Sequence, residues 1–167
     1  EVGATSAMRY SPAVVDGDSV EVSAFDPSQI EQVADLALVD GTVADLGVEE
    51  IAVRTDVADA EGLTVGDRVE IGFPESGDHV VTVAAVYDTV EPLGSYAMSL
   101  AAFEANGVER VDAFLVIANA DGVSMEEARV AIDADLDGYP TARLLTVDEF
   151  TESMTGEIDQ ILNLVYA

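Results

Sequence analysis

The chain has 167 residues, 49% of them hydrophobic, which suits one domain or two small lobes sharing a core and excludes wholesale disorder. It has no Cys and a single His, His79, which excludes disulfides, thiol catalysis, thiolate metal sites and a multi-histidine metal site within one chain. Asp and Glu total 34 against 6 basic residues, all of them Arg, and a formal net charge of −28 argues against nucleic-acid and anionic-lipid surfaces, whose phosphates would be repelled.

Two readings of the acid excess remain: solubility in a salty or extracytoplasmic medium, and an acidic patch for a cationic partner or Ca²⁺. No apolar run reaches the roughly 18 residues a membrane span needs, and no signal peptide is visible. The chain starts without Met and ends on the apolar run Leu162-Asn163-Leu164-Val165-Tyr166-Ala167. Both ends read as cuts in a longer protein.

In chain order, residues 8–15 and 19–25 read as two strands joined through Asp16-Gly17, a dipeptide favoured in tight hairpins. Asp26-Pro27-Ser28-Gln29 reads as a helix start, with Asp26 as cap and Gln29 closing a capping box. Ile30, Val33, Ala34 and Ala37 would form its buried stripe. Residues 50–55 form a short strand with Ile51 and Val53 alternating against Ala52 and Arg54.

The stretch from Ala58 to Ile71 begins as a helical turn, breaks at Gly62, and turns again at Gly66-Asp67 before a strand over 68–73. Val69, Ile71 and Phe73 share one face of that strand. Residues 74–78 form a turn. Residues 80–87 are apolar on both faces and predict a central strand. The segment from about 38 to 88 thus reads as a β-rich lobe.

Residues 96–100 predict another strand, and 101–106 a helical turn closed by Gly107. The pattern then becomes strand-helix-strand-helix. Residues 112–118 predict a buried strand. Ser124-Met125-Glu126-Glu127 is a capping box opening a helix with Met125, Ala128, Ile132 and Leu136 inside. Residues 142–146 predict a strand, and Thr146-Val147-Asp148-Glu149 a second capping box. In the last helix Phe150, Met154, Ile158, Ile161, Leu162 and Val165 recur at helical spacing. It grows more apolar toward Ala167, where a soluble helix keeps a polar face to its end.

This order of motifs resembles the large extracytoplasmic domain of FtsX-like ABC-transporter permeases, the group with a MacB-like periplasmic core. Ala44-Asp45-Leu46-Gly47 with Ile51-Ala52-Val53 looks like the family's loop and following strand. Val57-Ala58 through Gly62-Leu63-Thr64-Val65-Gly66-Asp67-Arg68-Val69 looks like its most recurrent stretch, with Gly62, Gly66 and Asp67 as structural motif residues. Thr82-Val83-Ala84-Ala85-Val86-Tyr87 looks like the strand that closes the β lobe. Phe150 with residues 161–167 looks like the helix leading into the second transmembrane segment. The resemblance covers roughly 39–167; the strand and helix with which the family begins this domain are not visible.

The resemblance implies a four-helix permease with this domain between its first two membrane helices. It would work as a dimer of permease copies with a cytoplasmic ATPase subunit, and an extracellular substrate or protein would be its further partner. ATP would bind elsewhere: the chain has no Lys and so no phosphate loop of the form GxxxxGK[ST].

Catalytic readings fare worse. A Ser-His-Asp triad would need His79, which sits beside a turn, and no GxSxG elbow exists. Acids are so frequent that carboxylate spacing carries no weight. Asp16-Gly17-Asp18 and Asn119-Ala120-Asp121-Gly122 look like scraps of a Ca²⁺ loop, but aligning Gly122 with the invariant glycine puts Ile117 and Ala128 at ligand positions, so they read as turns. Met98, Met125 and Met154 read as core fillers.

The expectation is therefore an α+β domain without enzyme activity, cofactor or metal. It has a β-α-β porter-like lobe from the two chain ends (about 1–37 and 95–167) and an inserted β-rich lobe (about 38–94). It would lie on the extracytoplasmic face of the membrane and pass ATPase-driven motion to substrate export or to an extracellular partner. Phe150, Ile158, Ile161, Leu162 and Val165 would form the mechanical link. The alternative is a free-standing secreted binding or scaffold module.

With 34 acids against 6 bases, self-repulsion opposes the folded state. The melting temperature should rise between about 0.1 M and about 1 M salt, as the Debye length falls from about 10 Å to about 3 Å. An unchanged melting temperature would rule out repulsion as a destabilising force.

Overall fold

Strand Val2–Val15 (β1) turns through Asp16 (φ +48°) and Gly17 (φ +94°) into strand Asp18–Phe25 (β2), the hairpin that Asp-Gly predicts. The structure is a computed structural model, and it describes residues 2–89, 93–136, 138–139 and 141–150. The remaining elements are helix Ile30–Val33 (α1), strands Leu38–Gly41 (β3) and Glu50–Arg54 (β4), helix Thr55–Glu61 (α2), strands Arg68–Phe73 (β5), Gly77–Tyr87 (β6) and Tyr96–Ser99 (β7), helix Leu100–Ala105 (α3), strand Phe114–Asn119 (β8) and helix Met125–Leu136 (α4). The fold is α+β. Residues 2–120 form one compact unit, and the described residues from 121 to 150 belong to a second.

Six strands of the first unit close on themselves in the order β1-β2-β7-β4-β6-β5 and back to β1. Pairing is mixed: β2–β7 and β4–β6 are parallel, the other pairs of the ring antiparallel. The ring draws β1, β2 and β7 from the terminal segments and β4, β5 and β6 from the middle of the chain. Two strands lie off it: β3 pairs β6, and β8 pairs the first half of β1.

Side-chain alternation divides the ring into an inside and an outside. Ala13, Val15, Val22, Ala24, Ile51, Val53, Val69, Ile71, Phe73, Val81, Val83, Tyr96 and Met98 fill the inner core. Ala58 of α2 and Ala102 and Phe103 of α3 complete it, with Phe103 edge-on to Phe73 at 5.8 Å between ring centroids. Their alternates Met8, Phe25, Ala52, Ala85, Tyr87 and Ala97 face a second core with Ile30, Leu36, Val43, Leu46 and Leu93. Strand β4 is therefore buried on both faces, where alternation alone would leave Ala52 outside.

On β6 the alternation changes phase. Val81 and Val83 point inward but so does Val86, because the register with β4 shifts between Ile51 and Ala52, leaving Ala84 as the extra residue of a bulge. The bulge is held by its neighbours: Thr42 N–H donates to Ala84 O at 3.3 Å, and Gly41 (φ +74°) passes so close that a Cβ there would collide with the same carbonyl.

Several sequence expectations need correction. The first helix is a single turn: Asp26 does organise it, accepting from Ser28 N–H at 2.9 Å, but Gln29 makes no capping box; of the predicted stripe Ile30 is buried and Val33 and Ala34 are partly so, while Ala37 is exposed and Leu36 is buried instead. Strand β8 is half-exposed, not buried, because it has one sheet neighbour among the described residues. Residues 142–146 are not a strand. In the second unit α4 buries Ala128 but leaves Met125 63% exposed, so Met125 is no core filler.

Gly41→Ala should cost about 2–3 kcal/mol, because it combines a left-handed backbone with a clash against a fixed carbonyl. Chemical denaturation checks this. Gly17→Ala, at a similar φ but with open space around it, should cost less.

Candidate functional site

The stretch from Val57 to Val69 is a plug bonded to Val83 of β6, the residue before its bulge. Helix α2 ends at Gly62, whose left-handed φ of +68° lets the chain reverse while Leu63 N–H donates to Ala58 O at 2.8 Å. Leu63 and Val57 pack against the inner core. Thr64 and Asp67 then close a small loop: the Asp67 carboxylate accepts from Thr64 N–H at 2.7 Å and from Thr64 Oγ1 at 2.8 Å. Gly66 (φ +98°) donates its N–H to Val83 O at 2.8 Å, and Val83 N–H donates to Asp67 O at 2.9 Å. Gly62 and Gly66 have nothing within 4 Å of a would-be Cβ, so backbone conformation and not space selects glycine at both.

These bonds leave Asp67 a structural carboxylate. The Thr64 hydroxyl and then the Thr64 N–H hold its pKa below the ordinary 3.8. Nearby, Tyr87 is fully buried and burial pushes its phenol pKa up; its hydroxyl donates to Gly94 O at 3.1 Å. Arg54 pairs with Asp56 at 2.6 Å, which raises the arginine's pKa and lowers the carboxylate's.

A cluster with no sequence signal joins distant segments. Arg9 on β1 donates from Nε to Asp112 at 2.7 Å and brings Nη1 within 3.6 Å of Glu104, which Arg110 also meets at 2.9 Å. With the bond from Ala113 N–H to Met8 O, it fastens the α3–β8 loop to β1. Arg9 and Asp112 lie more than a hundred residues apart, so neither periodicity nor motif could reveal it.

Of the predicted mechanical link, Phe150 falls in the second unit. Thr146-Val147-Asp148-Glu149 forms the expected capping box: Glu149 accepts from Thr146 N–H at 2.7 Å and Thr146 Oγ1 accepts from Glu149 N–H at 3.2 Å. The Thr146 N–H and then Arg129 lower the Glu149 pKa. Ser124 and Glu127 form the other box. Phe150 lies in the helical turn over 147–150. Ile158, Ile161, Leu162, Val165 and Met154 lie outside the described residues.

His79 is exposed on β6 opposite Ile71. Among the described residues no group of three His, Asp or Glu side chains is placed to hold a metal, and no helix is long and apolar enough to cross a membrane.

A small closed ring of mixed strands, two one- or two-turn helices closing its core, and an outlying pair of strands define an α+β domain of a particular kind. Solved structures similar to it include three domains of transporter proteins. The periplasmic region of MacB from Actinobacillus actinomycetemcomitans is similar at TM-score 0.63 and 12% identity, over 92% of this chain and 76% of that one. The extracellular domain of the ABC-type transporter YknZ from Gram-positive bacteria is similar at TM-score 0.59 and 15% identity, over 84% and 78%. A domain of a putative permease protein from Porphyromonas gingivalis is similar at TM-score 0.54 and 15% identity, over 84% and 71%. No family model and no curated protein matches the chain. The fold is that of MacB-like extracytoplasmic permease domains.

Because the folded-state pKa of Asp67 is lowered, its contribution is present above the ordinary value near 3.8 and is lost as pH falls through the folded value. Wild type should therefore melt higher than Asp67→Asn at neutral pH, with the gap closing as pH falls below about 4. Thermal melts of both proteins across the acid range check this; a gap that stays constant would assign the effect to the hydrogen bonds of either side chain and not to charge.

Proposed function

We propose that this chain is the extracytoplasmic domain of an ABC-transporter permease, passing motion driven by a cytoplasmic ATPase to substrate export or to an extracellular partner. The single observation carrying this reading is the fold likeness to three permease domains over 84–92% of the chain. In this reading the domain lies outside the cell membrane, anchored by helices on either side. A second permease copy completes the transporter. The segment 38–94 is the outer lobe, and the sequence from Phe150 through Ile158, Ile161, Leu162 and Val165 is the mechanical link. Gly62, Gly66 and Asp67 serve it by fixing the plug against β6, which favours a rigid body over a flexible one.

The test separates motion from folding. Ile158→Gly with Ile161→Gly in the full-length permease should abolish transport, each glycine costing about 1 kcal/mol of helix stability. The isolated domain with the same substitutions should keep its circular dichroism and melting profile. Normal transport by the double variant would overturn the mechanical role.

A further inference from the structure

The chain has three asparagines, and only Asn106 precedes a glycine; Asn119 is followed by Ala120 and Asn163 by Leu164. The side-chain amide of asparagine is open to attack by the backbone nitrogen that follows it, and glycine, with no Cβ, leaves that nitrogen unhindered. In that reaction Gly107 N attacks Asn106 Cγ and loses its proton, and the side-chain nitrogen leaves as ammonia. Water then opens the cyclic imide at either carbonyl, leaving an aspartyl or an isoaspartyl residue at 106.

The fold holds both reacting groups away from that course. Asn106 is the C-cap of α3, and Gly107 (φ +74°) is the left-handed residue after it. Gly107 N–H donates to Glu104 O at 3.2 Å and Val108 N–H to Phe103 O at 3.0 Å, the paired bonds of a Schellman motif, and Val108 packs against the inner core. The attacking nitrogen is thus already a donor to the helix. The ψ of Asn106 is +11°, so Gly107 N nearly eclipses the backbone nitrogen of Asn106, whereas the imide ring needs it to eclipse Cβ. The amide is also held at both ends: Nδ2 donates to Ala102 O at 2.8 Å, and Oδ1 accepts from Ser76 Oγ at 2.7 Å. Ser76 lies in the turn between β5 and β6, and Glu75 of the same turn comes so close that a Cβ on Gly107 would sit 3.1 Å from its own.

We propose that Asn106-Gly107 is a deamidation site gated by the end of α3: shut while the Schellman turn is formed, and reactive each time that turn opens. Local openings of this kind need no global unfolding. The product is permanent and does not fit the turn. A carboxylate at 106 cannot donate to Ala102 O, and it adds a negative charge next to the turn that carries Glu75 and Ser76. An isoaspartyl link lengthens the backbone by a methylene group, which draws Gly107 N–H off Glu104 O and Val108 off the core. Since α3 supplies Ala102 and Phe103 to the inner core, the reaction turns a passing opening into a lasting loosening of the ring. The bonds of α3 and of the β5–β6 turn support this site, with no need of the permease reading.

Peptide mapping by mass spectrometry tests it on the 167-residue chain, incubated in mildly alkaline buffer either folded or in concentrated guanidinium chloride. In denaturant, conversion at 106 should outrun that at 119 and 163. In the folded protein, conversion at 106 should be at least about tenfold slower than in denaturant. Ser76→Ala, which frees Oδ1, and Val108→Ala, which weakens the packing of the turn, should each raise the folded rate at least about threefold and leave the denatured rate unchanged. Protein modified at 106 should melt below its parent. Equal rates in the folded and denatured chain overturn the gate, as do folded rates that neither variant moves. Conversion at 106 no faster than at 119 in denaturant overturns the site, and an equal melting temperature overturns the loosening. Ser76 is exposed, so its variant carries the test should Val108→Ala not fold.

Discussion

Strand β1 answers to three neighbours at once: β8 along its first half, β2 along its second, and β5 at its last two residues. Those two residues, Val14 and Val15 against Gly72 and Ile71, convert an open sheet into a ring. Closure gives the inner core its definition. It removes the edges that a six-strand sheet would expose, and it fixes which of two alternating side-chain sets is enclosed. The Asp16-Gly17 turn contributes beyond the hairpin, because Asp16 N–H donates to Glu70 O at 3.0 Å and its carboxylate accepts from Glu70 N–H at 3.2 Å. A turn and a seam are thereby one feature.

Much of this was legible locally. Strand β5 was readable to its exact residues because Val69, Ile71 and Phe73 alternate cleanly against Arg68, Glu70 and Gly72. The two capping boxes near 124 and 146 were readable because their bonds join residues three apart. The failures share a cause. Alternation at Ile51 and Val53 cannot reveal that Ala52 is buried as well, since its cover comes from loops 42–47 and 93. The helix expected after Pro27 is one turn, ending at Ala34 in extended conformation, and the second core takes up Leu36 beyond its end as well as Ile30 within it. Residues 142–146 have strand composition, but composition specifies no pairing partner. Of the site, the glycines and Asp67 were visible as a motif. Their bonding to Val83 beside the Ala84 bulge was not, because a bulge is a property of two strands.

The positive charges are few and placed. Among the described residues four of the six arginines are ion-paired, and two of those four, Arg9 and Arg110, lie in one cluster. Arg9 has a side chain only 12% exposed, so its pairing with half-exposed Asp112 contributes about 1 kcal/mol, while pairs such as Arg110–Glu104 contribute less. Arg129 joins the first turn-and-a-half of α4 to the capping glutamate of the following helix. In a chain this acidic, cations act as fasteners for joints, and the remaining surface is left to solvent ions.

The pairing of β1 with β8 also sets the order in which the chain can fold. Val2 meets Asn119 and Met8 meets Phe114, separations of more than a hundred residues. The ring itself waits for β5 and for β7, which supplies the parallel partner of β2. As the chain emerges from synthesis or export, the second half of β1 forms a hairpin with β2 early, but the half destined for β8 stays unpaired until most of the domain has appeared. Such non-local pairing folds slowly. The early segment Val2–Met8 contains no charged residue, so it is the part of the nascent domain most exposed to premature pairing. The acid-rich sequence after it keeps the waiting chain dispersed.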